Sequence, residues 1–105
     1  MDRTLMLNQV LAQNPNDAFA RYGLAMEYVN SGQFNRALEE FAKLLSLHPD
    51  YTAGYFMAAQ ALVGAGQREE AKRMLVDGIA SARRTGNAHA QSEMTAMLEE
   101  LKSQA

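Results

Sequence analysis

The 105-residue chain has no cysteine and no tryptophan, only two prolines, and no long apolar run. Without cysteine there are no disulfides, no zinc–thiolate sites and no thiol catalysis. No stretch approaches the roughly 18 uninterrupted apolar residues of a membrane span. The opening residues carry Asp2, Asn8 and Gln9 within their apolar stretch, which does not fit a secretory leader. A soluble, cytoplasmic protein is therefore expected. Excess charge is also missing: ten Lys and Arg face twelve Asp and Glu, a net charge of -2. Nucleic-acid binding has no general electrostatic basis at that balance, and none is expected. What is present is ordinary globular material, 48% hydrophobic and 21% charged, in a length that fits one domain.

The scarce residues are periodic. Pro15 and Pro49 lie 34 residues apart, and Gly32-Gln33 recurs 34 residues later as Gly66-Gln67. Ala37 returns as Ala71, and Leu11 as Leu45 and Ile79, at the same interval. A shared period of this size signals a stacked array. Between the marks the pattern is helical. Phe19, Tyr22, Met26 and Val29 form one stripe, with Leu24 and Tyr28 on a second. Ala37, Leu38, Phe41, Leu44 and Leu45 form another. Gly32 is suited to a left-handed helix end. Asn35 is expected to cap the following helix, and Pro49 to stop it. The reading is all-α: six helices at about residues 2–13, 18–30, 35–47, 52–64, 68–84 and 88–103, with no sheet.

The segment from Ala18 to Tyr51 resembles a tetratricopeptide repeat. Leu24, Ala25 and Tyr28 match the signature of the first helix, Gly32 the turn, and Ala37, Phe41 and Pro49 the second helix. Arg21 stands where the opening aromatic is missing. From Thr52 the match continues with Tyr55, Ala58, Ala59, Leu62, Gly66, Ala71 and Leu75, while Arg83 replaces the final proline. The helix at 88–103 fits after a two-residue insertion that puts Met94, Met97 and Leu98 in buried places. The resemblance divides the chain into a half repeat (1–17), two full repeats (18–51 and 52–87) and a capping helix (88–105). Ala25, Ala37, Ala59 and Ala71 are expected where helix axes approach most closely. Leu24, Tyr28, Phe41, Leu62 and Leu75 are expected in the packing between repeats.

The resemblance implies a right-handed superhelical solenoid of antiparallel helix hairpins. Its first helices would line a concave groove holding a peptide or helix of a partner protein. Carried onto this chain, the groove residues are Phe19, Tyr22, Gly23, Met26, Val29, Phe56, Met57, Gln60 and Val63. Methionine suits a surface that must adapt to a partner. Aromatics and methionines at helical spacing are more often core than binding site, so the competing expectation is that part of this strip packs on neighbouring helices. A branch of the family grips carboxylate tails with Lys, Arg and Asn. Gly23, Met26 and Met57 occupy those places here, which argues against that mode. Leu5, Met6, Leu7, Val10 and Leu11 cover more than one stripe of the first helix. The alternative is a homo-oligomeric structural scaffold, a homodimer for example, that uses the same apolar surfaces or this first helix for self-association.

No enzyme, cofactor or metal site is expected. His89 and Glu93 share a helical face but supply too few ligands for a metal, and His48 is expected in solvent. No serine sits in a nucleophile elbow, and Gly64-Ala65-Gly66 lacks the strand that precedes a phosphate loop. Glu39-Glu40, Glu69-Glu70 and Glu99-Glu100 look like acid pairs, but two of them lie early in or along exposed helix faces, where solvated charge is the default, and general-acid work would need a raised pKa in a cleft. Arg68, Lys72, Arg73, Arg83 and Arg84 form a mild basic patch, in which Arg83 and Arg84 suit the negative end of their helix.

Overall fold

Three glycines set the layout. Gly32, Gly66 and Gly86 have φ of 76°, 79° and 68°, which a side chain would strain. At each, the glycine N–H and the next residue's N–H return to the helix just ended. Gly32 donates to the Val29 carbonyl at 3.0 Å and Gln33 to Tyr28 at 2.8 Å. Gly66 and Gln67 repeat this on Val63 and Leu62, and Gly86 and Asn87 on Arg83 and Ala82. This paired closure satisfies the carbonyls a helix end leaves open.

The computed structural model describes residues 3–104. They form α1 (Arg3–Gln13), α2 (Ala18–Asn30), α3 (Phe34–Leu47), α4 (Thr52–Gly64), α5 (Arg68–Arg84) and α6 (Ala88–Ser103). No strand occurs among the described residues. The start expected for α1 at residue 2 lies outside them. Asn35 is not the cap of α3. The helix begins at Phe34, because the Gln33 carbonyl already accepts the Ala37 N–H at 3.0 Å. True side-chain caps occur at Asp17, whose Oδ1 accepts from the Ala20 N–H at 2.9 Å, and at Asn87, which accepts from Ala90 at 3.0 Å. α5 has 17 residues where α3 has 14, and the connection after it (85–87) is one residue shorter than that after α3 (48–51), which together give the two-residue insertion before α6.

Each helix packs on its neighbours in sequence. α2 also touches α4, and α4 touches α6, so these three lie side by side. The result is an elongated array of 41 × 29 × 20 Å. Its core is a row of local clusters. Leu7 and Leu11 meet Ala20 and Leu24. Ala25, Ala37, Phe41, Leu44 and Ala58 form the middle. Tyr55, Ala59, Leu62, Ala71, Leu75, Met94 and Leu98 form the far end. Clusters confined to adjacent elements are the mark of a stacked, quasi-linear architecture.

Small residues set the spacing. Ala25, Ala37, Ala59 and Ala71 are fully buried, as is Leu75, while Leu24, Phe41 and Leu62 are buried and Tyr28 is half-buried. Gly78 of α5 faces Tyr55 of α4 and Met94 of α6, and a Cβ placed there would stand 2.6 Å from Tyr55 Cβ. A polar staple fixes the start of α4 to the end of α5: buried Thr52 Oγ1 lies 2.9 Å from buried Ser81 Oγ, and Arg84 reaches Asp50 at 2.8 Å. The Tyr55 hydroxyl donates to the Pro49 carbonyl at 2.6 Å. His48 is half-buried rather than solvated, with Nε2 3.0 Å from the Asn16 carbonyl.

Arg21, where the repeat signature has an aromatic, forms an ion pair with Glu40 at 2.7 Å. It also donates to the Pro15 carbonyl at 2.9 Å. Both side chains are only 12% exposed, so the Glu40 carboxylate is held by its partner and not by solvent.

Candidate functional site

The side-by-side helices α2, α4 and α6 enclose an open trough. One hollow, about 200 Å³, is lined by Tyr22, Phe56, Met57, Ala90 and Glu93, with Ala53 and His89 beside them. A second, about 440 Å³, is lined by Phe56, Gln60, Glu93, Ala96, Met97 and Glu100. The two share Phe56 and Glu93 and form one continuous surface. Tyr22 is held in place by its neighbours. Its ring lies 5.4 Å from that of Tyr51 and meets Phe41 edge-on at 6.4 Å. Burial pushes the Tyr22 and Tyr51 phenols above their ordinary value of 10.0, so both are neutral donors at physiological pH.

Of the expected groove residues, Tyr22, Phe56, Met57 and Gln60 line the trough. Phe19 is 77% exposed and lines neither hollow. Met26 and Val29 are half-buried against the middle cluster, and Val63 against the far one. Gly23 faces the other way, toward Leu7 of α1. The sequence reading missed one whole wall. His89, Ala90, Glu93, Ala96, Met97 and Glu100 of α6 face the trough, whereas the sequence reading expects this helix to close the stack, with Met94, Met97 and Leu98 buried, and includes none of its residues in the groove. Their spacing, recurring every three or four residues, carried the signal.

Several charged groups outside the trough are paired locally. Lys72 and Arg73 bind Glu69 and Glu70 at 3.0 and 2.9 Å, and Arg68 bonds to Gln104, so these cations of the basic patch are partnered. Hydrogen bonding to Asp50 holds the Arg84 guanidinium in its charged form, with pKa above its ordinary value. His89 Nε2 lies 3.3 Å from Glu93 Oε1, a surface contact. Among the described residues, no group of three His, Cys, Asp or Glu could hold a metal. No described helix is long and apolar enough to cross a membrane.

Comparison with known proteins places this architecture. Family models described as tetratricopeptide repeat match residues 28–93 and 6–39. TPR repeat-containing protein PA0015 of Pseudomonas aeruginosa is 32% identical over 95 residues, covering 90% of each chain. The solution structure of protein BPP2914 from Bordetella parapertussis superposes with a TM-score of 0.87 at 26% identity, over 99% of this chain and 90% of that one. PcrH, solved in complex with the chaperone binding region of PopD, shares the fold with a TM-score of 0.90 at 18% identity. That alignment spans 96% of this chain and 77% of PcrH. The repeated glycine closures, the buried alanines and these likenesses agree: the chain belongs to the tetratricopeptide repeat family.

Proposed function

We propose that this chain is a non-catalytic protein-interaction module whose concave face, formed by α2, α4 and α6, receives a peptide or helix of a partner protein. The reading takes the chain as a half repeat (1–17), two repeats (18–51 and 52–87) and a closing helix (88–105). The observation that carries it is the trough itself. Phe56, Met57 and Met97 are half-buried, and they line open hollows instead of being sealed in a bundle. Apolar surface left open in a folded domain marks an interaction site. Anchors on such a face suit a partner helix presenting residues at i, i+3, i+4 and i+7. PcrH, of the same fold, has been solved with a segment of another protein bound.

Tyr22, Phe56 and Met57 are the principal anchors, with Met26 and Val29 shaping the α2 side from beneath. Phe56→Glu puts a charge on the floor, and Gln60→Trp fills the second hollow from an exposed position. Both should abolish capture of the cellular partner while helicity by circular dichroism is unchanged, and Ala42→Trp on α3 should leave capture intact. Capture unaffected by both groove variants would overturn the reading. A second reading, self-association through α1, is favoured by Leu5, Met6 and Val10, which are 65%, 50% and 38% exposed. Light scattering that shows a dimer dissociated by Leu5→Glu with Met6→Glu would establish it.

A further inference from the structure

The trough has an uneven charge. Its middle helix, α4, contains no ionisable acid or base except Tyr55, from Thr52 to Gly64. The α2 wall contributes the neutral Tyr22. All formal charge on the surface comes from α6, where Glu93 and Glu100 stand along one edge. No lining residue of either hollow is Lys or Arg among the described residues. Six of the chain's ten Lys and Arg are paired with acids outside the trough: Arg3 with Glu27, Arg21 and Lys43 with Glu40, Lys72 and Arg73 on α5, and Arg84 with Asp50. Glu93 meets only His89, and no cation lies within ion-pair distance of Glu100 among the described residues.

From this asymmetry we infer that the partner segment is a basic amphipathic helix. Its apolar stripe would lie on Phe56, Met57 and Met97, and Lys or Arg along one edge would face Glu93 and Glu100. The inference rests on the groove reading above and adds the chemistry of the occupant. The two glutamates are seven residues apart on α6, two turns or about 10.5 Å along its axis. Cations two turns apart on a partner helix match that separation. An acidic segment, or a terminal carboxylate, would meet like charge with no compensating cation. Exposed pairs of this kind contribute modestly to affinity and more to orientation and choice of partner. The edge therefore sets which way round the helix lies, and the apolar floor holds it.

The test uses two synthetic amphipathic peptides about 16 residues long, near the length of α6. They share one apolar stripe of Leu and Met and differ only at two edge positions seven residues apart, Lys in one and Glu in the other. Each is titrated into the isotope-labelled full chain while amide shifts are followed. The Lys-edged peptide should bind about tenfold more tightly, with shifts on α4 and α6, and its advantage should shrink as salt rises. The exposed pair Glu93→Gln with Glu100→Gln should remove that advantage without changing where the peptide sits. Equal binding of both peptides in the trough, or an advantage that survives the double variant, overturns the charge inference and leaves the groove reading standing. Shifts confined to α1, α3 or α5 with both peptides, or no shifts at all, sink the two together.

Discussion

Two glycines, both inside helices and neither at positive φ, make a matched pair of tests for how closely the repeats pack. Replacing either by alanine gains roughly 1 kcal/mol of helix propensity. At Gly23 the new methyl would meet Leu7 Cδ2 at 3.4 Å and Cδ1 at 3.6 Å, ordinary contact, so the gain should be realised. At Gly78 it would stand 2.6 Å from Tyr55 Cβ and closer still to Met94 Sδ. Met94 is fully buried with little room to turn, and Tyr55 Cβ cannot move without its backbone. Overpacking of this kind costs about 1–3 kcal/mol. Subtracting the same propensity gain from both leaves Gly78→Ala about 1–3 kcal/mol less stable than Gly23→Ala. For a domain near this size that is at least roughly 4 °C in Tm. Thermal and urea unfolding followed by circular dichroism would measure it. A Gly78→Ala protein as stable as Gly23→Ala would refute the close approach of α4, α5 and α6.

The buried alanines extend the same reasoning: Ala37→Leu and Ala71→Leu should each lose about 1–3 kcal/mol in urea unfolding. Ala42→Leu, on an exposed position, should stay within about 0.5 kcal/mol of the parent. Arg21→Ala leaves the Glu40 carboxylate half-buried beside Lys43, whose Nζ is 3.8 Å away, and should cost about 1–3 kcal/mol. Arg73→Ala breaks an exposed pair and should change stability by no more than about 0.5 kcal/mol in the same assay. Tyr22, Tyr51 and Tyr55 have phenols raised above 10.0, first by burial. Folding favours the neutral form, so its stabilisation is complete below the unfolded value near 10 and is lost as pH rises through the higher native values. Phenolate absorbance in the folded protein should therefore rise at higher pH than in the denatured chain, and superimposable titrations would contradict the packing of these rings.

Helix boundaries were legible because glycine and proline act locally. Gly32, Gly66 and Gly86 close helices through bonds to residues within five positions, and a short-range pattern is enough to find them. The start of α3 was harder. Asn35 is a good capping residue, but the chain had already turned helical at Phe34, whose ring packs where a Cβ on Gly64 would fall, and that contact spans 30 residues of sequence. The Arg21–Glu40 pair was invisible for the same reason, since nothing local marks a partner 19 residues away. In the trough, Tyr22, Phe56 and Met57 followed from repeat register alone. The α6 wall did not, because a terminal helix is expected to turn polar residues outward, and Glu93 and Glu100 look the same in sequence whether they face bulk water or a groove.

The central claim is that the hollow side of α2, α4 and α6 meets another protein. Site-specific photo-crosslinking in the native cell tests it most directly, with the photoreactive side chain placed in turn at Gln60 in the trough, Ala42 on α3 and Leu5 on α1. The account predicts adducts with a different protein from position 60 and none from position 42. Adducts with another protein from position 42 alone, or only self-adducts from position 5, would contradict it.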